Sequence, residues 1–213
     1  HPDNPEYIAA CQKQIPMLSR AELLGQLMKN YEMPVAVAGT HGKTTTTSML
    51  THILMEGELD PTVSVGGILP SIQGNVRIGH SQYFLTEACE YTNSFLEFFP
   101  KMEIILNIDA DHLDFFKDLE DIRRSFRLFA ERLGAEGTLI IYEGIPYLEE
   151  FLKDLPCRII TFGLESGDYR ASQVSYHDSG CGEFDLYRGE KCLGHFSLSV
   201  PGEHNILNGI AAL

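Results

Sequence analysis

The hydrophobic and polar positions of this chain follow two different rhythms, which change near Gly167. Before that point, short apolar runs alternate with stretches of helical periodicity, the clearest of which cover residues 43–56 and 120–133. The apolar runs predict strands at residues 35–38, 62–65, 103–108, 138–142 and 158–162, with a short helix between the last two. Such strand–helix alternation favours a mostly parallel sheet with helices on both faces.

The second rhythm, after Gly167, has a period of two residues with frequent turn residues. It predicts three antiparallel strands in a meander or small sheet, and a last helix that opens in PGEHNILNGIAAL. Residues 76–78 and 83–88 are predicted to form a hairpin or two neighbouring strands. The predicted fold class is α/β: a mostly parallel P-loop-type sheet flanked by helices, with a small antiparallel β-sheet appended near the C-terminus.

The first 33 residues are predicted to carry a helix that begins with a capping box, in which Ser19 caps and Glu22 reaches back. That helix should run to about residue 30, before Pro34 interrupts the chain ahead of the first strand, and its apolar face should contain Leu23, Leu24, Leu27 and Met28. The chain opens in polar, proline-punctuated sequence, and its last helix stops after a turn or two. We therefore expect a segment of a longer protein, whose last helix has little chance to bury a face.

Composition limits the possible partners. The 213 residues suit one domain, or one domain plus a piece of another, and the formal net charge of −14 argues against a general nucleic-acid surface or binding to acidic membranes. A local nest of backbone amides with one lysine can still bind a phosphate. The five cysteines show no CxxC spacing, and neither a signal peptide nor an apolar run of the ~18 residues needed to span a bilayer is present. These features predict a cytoplasmic protein with free thiols.

The stretch VAVAGTHGKTTTTSML, residues 35–50, places a glycine-rich turn between a predicted buried strand and a predicted helix. Glycines let successive N–H groups point inward, and the helix N-terminus adds partial positive charge. In that arrangement Lys43 would reach the β and γ phosphates and the Thr44 hydroxyl would sit on magnesium. The standard motif would need glycine where Val37 stands. The alternative is a tight turn whose lysine is merely solvated.

Two further clusters of polar residues follow predicted strands. Glu87 and Glu90 come at and just after the end of residues 83–88, and the exit of the 103–108 strand is crowded by Asn107, Asp109, Asp111, His112 and Asp114. Carboxyl ends of parallel strands face the crevice where ligands bind, and a histidine beside carboxylates can ligate a metal or act as a base. The alternatives are surface carboxylates flanking a turn, and Asp or Asn residues that only cap helices and form turns.

Asn205 and Asn208 lie three residues apart in EHNILN and share a helix face, so both amides could contact one planar ring. Helix capping by Asn205 is the other interpretation.

Four motifs in this order, GTHGKTTTTSM, EACEYTNSFL, NIDADHLD and PGEHNILN, together resemble the Mur ligase family, which builds the peptide of bacterial cell-wall precursors. The match covers nearly all of residues 34–213, and residues 3–24 resemble the end of the family's N-terminal UDP-binding domain. The histidine in GTHGKT favours the member that joins L-alanine to UDP-N-acetylmuramate.

The resemblance implies ATP and Mg²⁺ as cofactors and UDP-N-acetylmuramate and L-alanine as substrates, joined through an acyl phosphate. By motif, the catalytic residues are Lys43, Glu87 and His112, and the metal ligands are Thr44, Glu87 and His112. The implied nucleotide-binding residues are the turn residues and two amides, namely Gly39, Thr40, His41, Gly42, Lys43, Thr44, Thr45, Asn205 and Asn208. Glu90 is implied only weakly.

The resemblance also implies a division of the chain. Residues 1–33 would be the tail of an N-terminal UDP-binding domain and residues 34–213 the central ATP-binding domain, with the C-terminal ligase domain absent and the piece inactive alone. Three alternatives stay open: a muropeptide-recycling Mur ligase, a folylpolyglutamate synthetase-like ligase, and a non-catalytic ATP-binding module.

Overall fold

A computed structural model describes residues 3–213 of the chain. The described helices are α1 (Pro5–Gln12), α2 (Arg20–Met28), α3 (Lys43–Glu56), α4 (Leu119–Ala130), α5 (Leu148–Leu152) and α6 (Glu203–Ala212). The described strands are β1 (Met33–Ala38), β2 (Thr62–Leu69), β3 (Gly74–Arg77), β4 (Tyr83–Ala88), β5 (Met102–Ile105), β6 (Thr138–Tyr142), β7 (Arg158–Gly163), β8 (Tyr169–Tyr176), β9 (Cys181–Arg188) and β10 (Lys191–Pro201). Short 3-10 helices cover Pro70–Ile72, Tyr91–Glu97 and Glu131–Leu133.

All ten described strands belong to one sheet, in the order β10-β9-β8-β7-β6-β5-β1-β4-β2-β3. The strands from β8 through β2 pair in parallel, whereas β3 on one edge and β9 and β10 on the other pair antiparallel. The predicted α/β class and the predicted three-stranded meander are confirmed. The meander is not separate from the main sheet, because its first strand, β8, forms a short parallel pairing with β7.

The boundaries of α3 and α4 match the sequence pattern closely. Helix α3 spans Lys43–Glu56, as its periodicity predicts, and α4 with the following 3-10 turn covers the predicted amphipathic helix. The apolar stripe predicted on α4 is buried, at Ile122, Phe126, Phe129 and Leu133.

The proposed pairing of residues 76–78 with residues 83–88 is wrong. Strand β3 pairs with β2, and β2 in turn pairs with β4, so that β2 separates the two segments. The reason is burial: Phe84 and Leu85 of β4 are buried, and β4 lies inside the sheet between β1 and β2. Strand β3 has no buried residue and occupies the edge.

The N-terminal prediction is partly confirmed. The capping box of Ser19 and Glu22 is present at the start of α2. The predicted apolar face is wrong for Leu23 and Leu27, which are exposed, whereas Met28 is buried. The helix turns its Gly25 side inward, where a Cβ would clash with the Glu97 carbonyl. The predicted tail also includes residues 1 and 2, which lie outside the described residues.

Two other expectations are corrected. Pro34 lies inside β1 rather than ahead of it, and its carbonyl accepts a hydrogen bond from the Lys101 amide. Helix α6 does bury a face, because it packs against α3 and the sheet, with Ile206 and Ile210 almost fully buried.

The sheet separates two apolar cores. One core contains Phe95, Phe126 and Phe129, with ring centroids of Phe95 and Phe129 4.5 Å apart. The other lies under α3 and α6 and contains Ile206 and Phe184. No helix within residues 3–213 is long and apolar enough to cross a membrane.

Glu103 is an exception to the apolar character of the sheet interior. It is fully buried on β5, and neither carboxyl oxygen has a hydrogen-bond partner. Burial therefore raises the pKa of Glu103 well above its ordinary value, because desolvation disfavours the charged form. A group with a raised pKa favours folding below its unfolded pKa, and that contribution is lost as the pH rises through the folded pKa.

We predict that Glu103→Leu stabilises the protein at pH 8 by about 1–3 kcal/mol, because it removes an unsatisfied buried polar group. The gain should be smaller at pH 5, where the protonated carboxyl is tolerated in the folded state. Thermal unfolding at the two pH values measures this difference. The matched control is Glu136→Leu, at an exposed position. An equal or larger gain at pH 5 would contradict the assignment of a neutral buried carboxyl.

Candidate functional site

The turn between β1 and α3 is shaped by glycines at both ends. Gly39 has φ 142° and Gly42 has φ 87°, both in the region that favours glycine. The turn also lies tightly against its neighbours, since a Cβ on Gly42 would come within 2.6 Å of Asn208 Oδ1. Helix α3 starts at Lys43 with no side-chain cap and no acidic residue in its first turn. Its first amides are therefore free to bind an anion.

Lys43 is not a solvated surface lysine. Its side chain is 16% exposed and the ammonium donates to the carbonyls of Gly39 and Thr40, at 2.5 and 3.1 Å. It also forms an ion pair with Glu90, whose carboxyl oxygens lie 2.9 and 3.3 Å from Nζ. The alternative of a merely solvated lysine is therefore wrong, and the turn carries a positive charge held in place by four acceptor oxygens.

Thr44 and Glu87 meet beside the turn. The Thr44 hydroxyl donates to Glu87 Oε2 at 3.1 Å, and the Gly66 amide, on β2, donates to Glu87 Oε1 at 2.6 Å. The carboxylate occupies the space where a side chain of residue 66 would begin, because a Cβ there would lie 2.8 Å from Oε2. Three elements, α3, β4 and β2, therefore fix one carboxylate next to the first turn of α3.

The segment after β5 braces the turn from the other side. The Asn107 side chain accepts a hydrogen bond from the His41 amide at 2.8 Å and donates to the His41 carbonyl at 3.0 Å. The Asp109 amide donates to the Thr40 hydroxyl at 2.9 Å. Asn107 thus acts on the turn backbone, and the predicted crowding of polar residues at this exit has a structural role in addition to any ligand role.

His112 lies where this segment returns toward Glu90. Its Nε2 is 3.9 Å from Glu90 Oε1, and its backbone is left-handed, with φ 51°. The ring of Tyr91 lies 4.7 Å from the imidazole between centroids, and the Tyr91 hydroxyl donates to Asp114 at 2.9 Å. This hydrogen bond raises the pKa of Tyr91. Tyr91 therefore holds the histidine and its loop in one arrangement.

Asn205 and Asn208 share one face of α6, as predicted, and both are buried. Asn208 Nδ2 donates to Asn205 Oδ1 at 2.9 Å, and Asn205 Nδ2 donates to the Pro201 carbonyl at 2.7 Å. The cap of α6 is Gly202, so the interpretation of Asn205 as the helix cap is wrong. Asn208 also packs on Gly42, and Asn205 in turn accepts a hydrogen bond from Asn208, so the two amides support the turn.

The other predicted turn residues differ in burial and location. Thr40 is buried and His41 is exposed, while Thr45 lies on an outer groove between α3 and β10. Only Thr44 of the four consecutive threonines pairs with Glu87, whereas Thr46 and Thr47 are buried in the fold.

The oxygen atoms around the turn suit a hard divalent cation. Neighbouring positions in an octahedron with bonds of ~2.1 Å lie about 3 Å apart, which matches the separation of Thr44 Oγ1 and Glu87 Oε2. Within residues 3–213, no three His, Cys, Asp or Glu side chains form a ready-made metal cluster. Mg²⁺ usually takes one or two protein ligands and completes its shell with water and phosphate oxygens.

The structure places the predicted residues Lys43, Thr44 and Glu87 at the turn, and it places Glu90 there as well. Sequence reasoning missed Gly66 and Tyr91. The paired glycines at the end of β2 were a signal for the first, because a glycine inside a strand often marks close approach of another group. No local signal distinguished Tyr91 from an ordinary aromatic residue.

A family model for the Mur ligase middle domain matches residues 37–213. The chain belongs to the Mur ligase family. Its turn, its two strand exits and its last helix correspond to the four motifs that carried the resemblance.

Curated Mur ligases match the whole chain. A UDP-N-acetylmuramate–L-alanine ligase of Agathobacter rectalis is 55% identical over 100% of this chain and 47% of its own length. An enzyme of the same name from Clostridium botulinum is 48% identical over 99% of this chain and 46% of its own. The chain therefore spans about half the length of the curated relatives it matches.

Solved Mur ligase structures share the fold. The UDP-N-acetylmuramate–alanine ligase of Thermotoga maritima superposes with a TM-score of 0.83 at 29% identity, over 100% of this chain and 47% of that one. A ligase of Neisseria described as joining UDP-N-acetylmuramate to L-alanyl-γ-D-glutamyl-meso-diaminopimelate has a TM-score of 0.85 at 26% identity, over 99% of this chain and 69% of that one.

We predict that Gly66→Ala weakens Mg²⁺ binding in the presence of inorganic triphosphate by about tenfold, or ~1.4 kcal/mol. The new methyl group displaces the Glu87 carboxylate from the position where Thr44 meets it. Isothermal titration calorimetry measures the affinity.

Gly67→Ala is the matched control, because a Cβ at that position meets only an ordinary contact, 3.4 Å from Thr44 Cγ2. Equal affinities for the two variants would show that the Gly66–Glu87 contact does not position a metal ligand.

Proposed function

We infer that this chain is the ATP-binding part of a ligase that joins L-alanine to UDP-N-acetylmuramate in peptidoglycan precursor synthesis. The observation that carries this proposal is the uncapped N-terminus of α3, whose first two residues supply a partly buried ammonium and a hydroxyl paired with Glu87. The names of relatives 55% and 48% identical over essentially the whole chain support the choice of substrates.

The division of labour follows from the contacts. The amides of the turn and the Lys43 ammonium bind the terminal phosphates, while Thr44 and Glu87 would hold one Mg²⁺ and His112 a second. Bound Mg²⁺ supplies positive charge that offsets the charge of the phosphates. Positioning and charge neutralisation are the main contributions a protein makes to phosphoryl transfer.

The reaction that this arrangement supports activates a carboxylate. The muramate carboxylate attacks the γ-phosphorus of ATP, ADP leaves, and an acyl phosphate forms. The L-alanine amine then attacks the acyl carbon, and inorganic phosphate leaves as the amide forms. A carboxylate is a poor electrophile, whereas the mixed anhydride is a good one, which is why the phosphoryl transfer comes first.

Asn205 and Asn208 are proposed as adenine contacts on the same basis of motif. In the present arrangement each amide nitrogen donates one hydrogen bond, to Pro201 or to Asn205. Because a side-chain amide has two N–H donors and an acceptor oxygen, both residues keep capacity for contact with a base. The packing of Asn208 against Gly42 would then couple the base to the phosphate turn.

We further propose that residues 1–33 end a UDP-binding domain, that residues 34–213 are the central domain, and that a further domain completes the site. The relatives' double length supports this division. The piece alone would not turn over. We place the reaction in the cytoplasm, where ATP is available, with neither nucleic acid nor membrane as a partner.

A muropeptide-recycling ligase is the second candidate, favoured by the likeness to the Neisseria enzyme. The experiment offers ATP, Mg²⁺ and UDP-N-acetylmuramate to the full-length protein with L-alanine, with the tripeptide L-alanyl-γ-D-glutamyl-meso-diaminopimelate, or with L-glutamate. Release of ADP and phosphate is measured. We expect turnover with L-alanine. Turnover with the tripeptide alone would establish the second candidate, and nucleotide binding without turnover would indicate a non-catalytic module.

We predict that Lys43→Ala in the full-length protein weakens ATP binding by about 100-fold or more, equivalent to ~2.7 kcal/mol, because the phosphates lose their partly buried positive partner. Calorimetry with a non-hydrolysable ATP analogue measures the effect. The variant also leaves Glu90 buried without a counter-charge, which should cost about 3–5 kcal/mol of stability. Thermal unfolding must therefore be recorded alongside.

The control is Lys101→Ala, an exposed lysine just before the amino end of β5. An unchanged dissociation constant for a folded Lys43→Ala protein would remove the phosphate-binding assignment.

A further inference from the structure

Glu90 is the least exposed charged group at the turn, with a side chain that is 2% exposed. Its carboxylate contacts the Lys43 ammonium through both oxygens. The same ammonium donates to the carbonyls of Gly39 and Thr40. An ammonium has three donors. In this conformation the protein itself therefore satisfies the hydrogen-bonding capacity of Lys43.

This arrangement disfavours an anion that arrives alone. A phosphate oxygen bound to Lys43 Nζ would lie within about 6 Å of the Glu90 carboxylate, because two hydrogen bonds of ~2.9 Å meet at one nitrogen. Like charges at that distance repel strongly when they are shielded from water. The incoming polyphosphate must also compete with Glu90 for the ammonium.

A divalent cation bound with the polyphosphate would reduce the repulsion between the phosphate and the carboxylates. It would sit beside the turn on Thr44 and Glu87, and its two positive charges offset the carboxylates around it. His112 Nε2, 3.9 Å from Glu90 Oε1, gives the same carboxylate a second neighbour from the opposite strand exit. Glu90 thus lies between the Lys43 ammonium and His112, a proposed metal ligand.

We propose that Glu90 makes polyphosphate binding at this turn dependent on a divalent cation, so that the protein selects the metal–nucleotide complex over the free nucleotide. This inference rests on the proposed function of the turn. It assigns a specificity role to a residue that contacts Lys43 directly.

Stability alone does not account for the pair. A buried ion pair often contributes no more than well-packed apolar residues of the same volume. The backbone directly after Glu90 is also unusual, because Thr92, a β-branched residue, has φ 56° and Asn93 has φ 58°. Such conformations persist where the surrounding structure imposes them, and they cluster at functional sites. The backbone after Glu90 and Tyr91 is therefore strained in the conformation that places these two residues at the site.

The test uses Glu90→Gln in the full-length protein, since glutamine keeps the shape and can still accept a hydrogen bond from Lys43. Dissociation constants for a non-hydrolysable ATP analogue are measured by calorimetry, once with Mg²⁺ and once with EDTA. We expect metal-free binding to tighten by about tenfold, or ~1.4 kcal/mol, while Mg²⁺-loaded binding changes by less than about threefold. Glu97→Gln, an exposed carboxylate in the same segment, carries the same charge change and should alter neither value.

Glu90→Met provides a second neutral variant with the same expectation, so a folding failure of one substitution leaves the other to decide. Metal-free binding that is no tighter in folded neutral variants than in the wild type would overturn the inference. Absence of nucleotide binding by the wild type under both conditions would instead overturn the proposed function, and the inference with it.

Discussion

The register of three parallel strands determines where the chemistry can occur. Strand β1 pairs with β4 on one side and β5 on the other, and its last residue, Ala38, lies opposite Ala88 and Ile105. The three strands therefore end level with one another. The turn after β1, the carboxylates at and just after the end of β4 and the polar segment after β5 lie at the same edge of the sheet, where open α/β sheets bind their ligands.

Charge then decides what this edge can hold. The chain has a formal net charge of −14, and the turn itself offers one partly buried ammonium, that of Lys43, with Glu90 against it and Glu87 nearby. Backbone amides at the start of α3 supply the remaining attraction for an anion. Under the proposed function, a polyphosphate accompanied by divalent cations would satisfy these groups together, whereas a bare anion would compete with Glu90 for the ammonium.

The sequence predicted features that depend on neighbouring residues. Helix α3, the capping box of α2 and the apolar stripe of α4 follow from local periodicity and caps, and the structure contains all three. The pairing of β3 with β2 was not predictable in that way, since strand order depends on contacts far apart in the chain. The same reason hid the contact of Gly66 with Glu87 and of Tyr91 with His112. Motifs named residues that lie beside the turn, but the side chains and amides that contact them come from other strands, and their roles stay predictions.

The most direct test is a crystal structure of the full-length protein with Mg²⁺ and a non-hydrolysable ATP analogue. The account predicts β and γ phosphates in the turn between Gly39 and Thr44, and a cation on Thr44 and Glu87. A nucleotide bound elsewhere with the turn empty, or a cation that avoids both side chains, would contradict it.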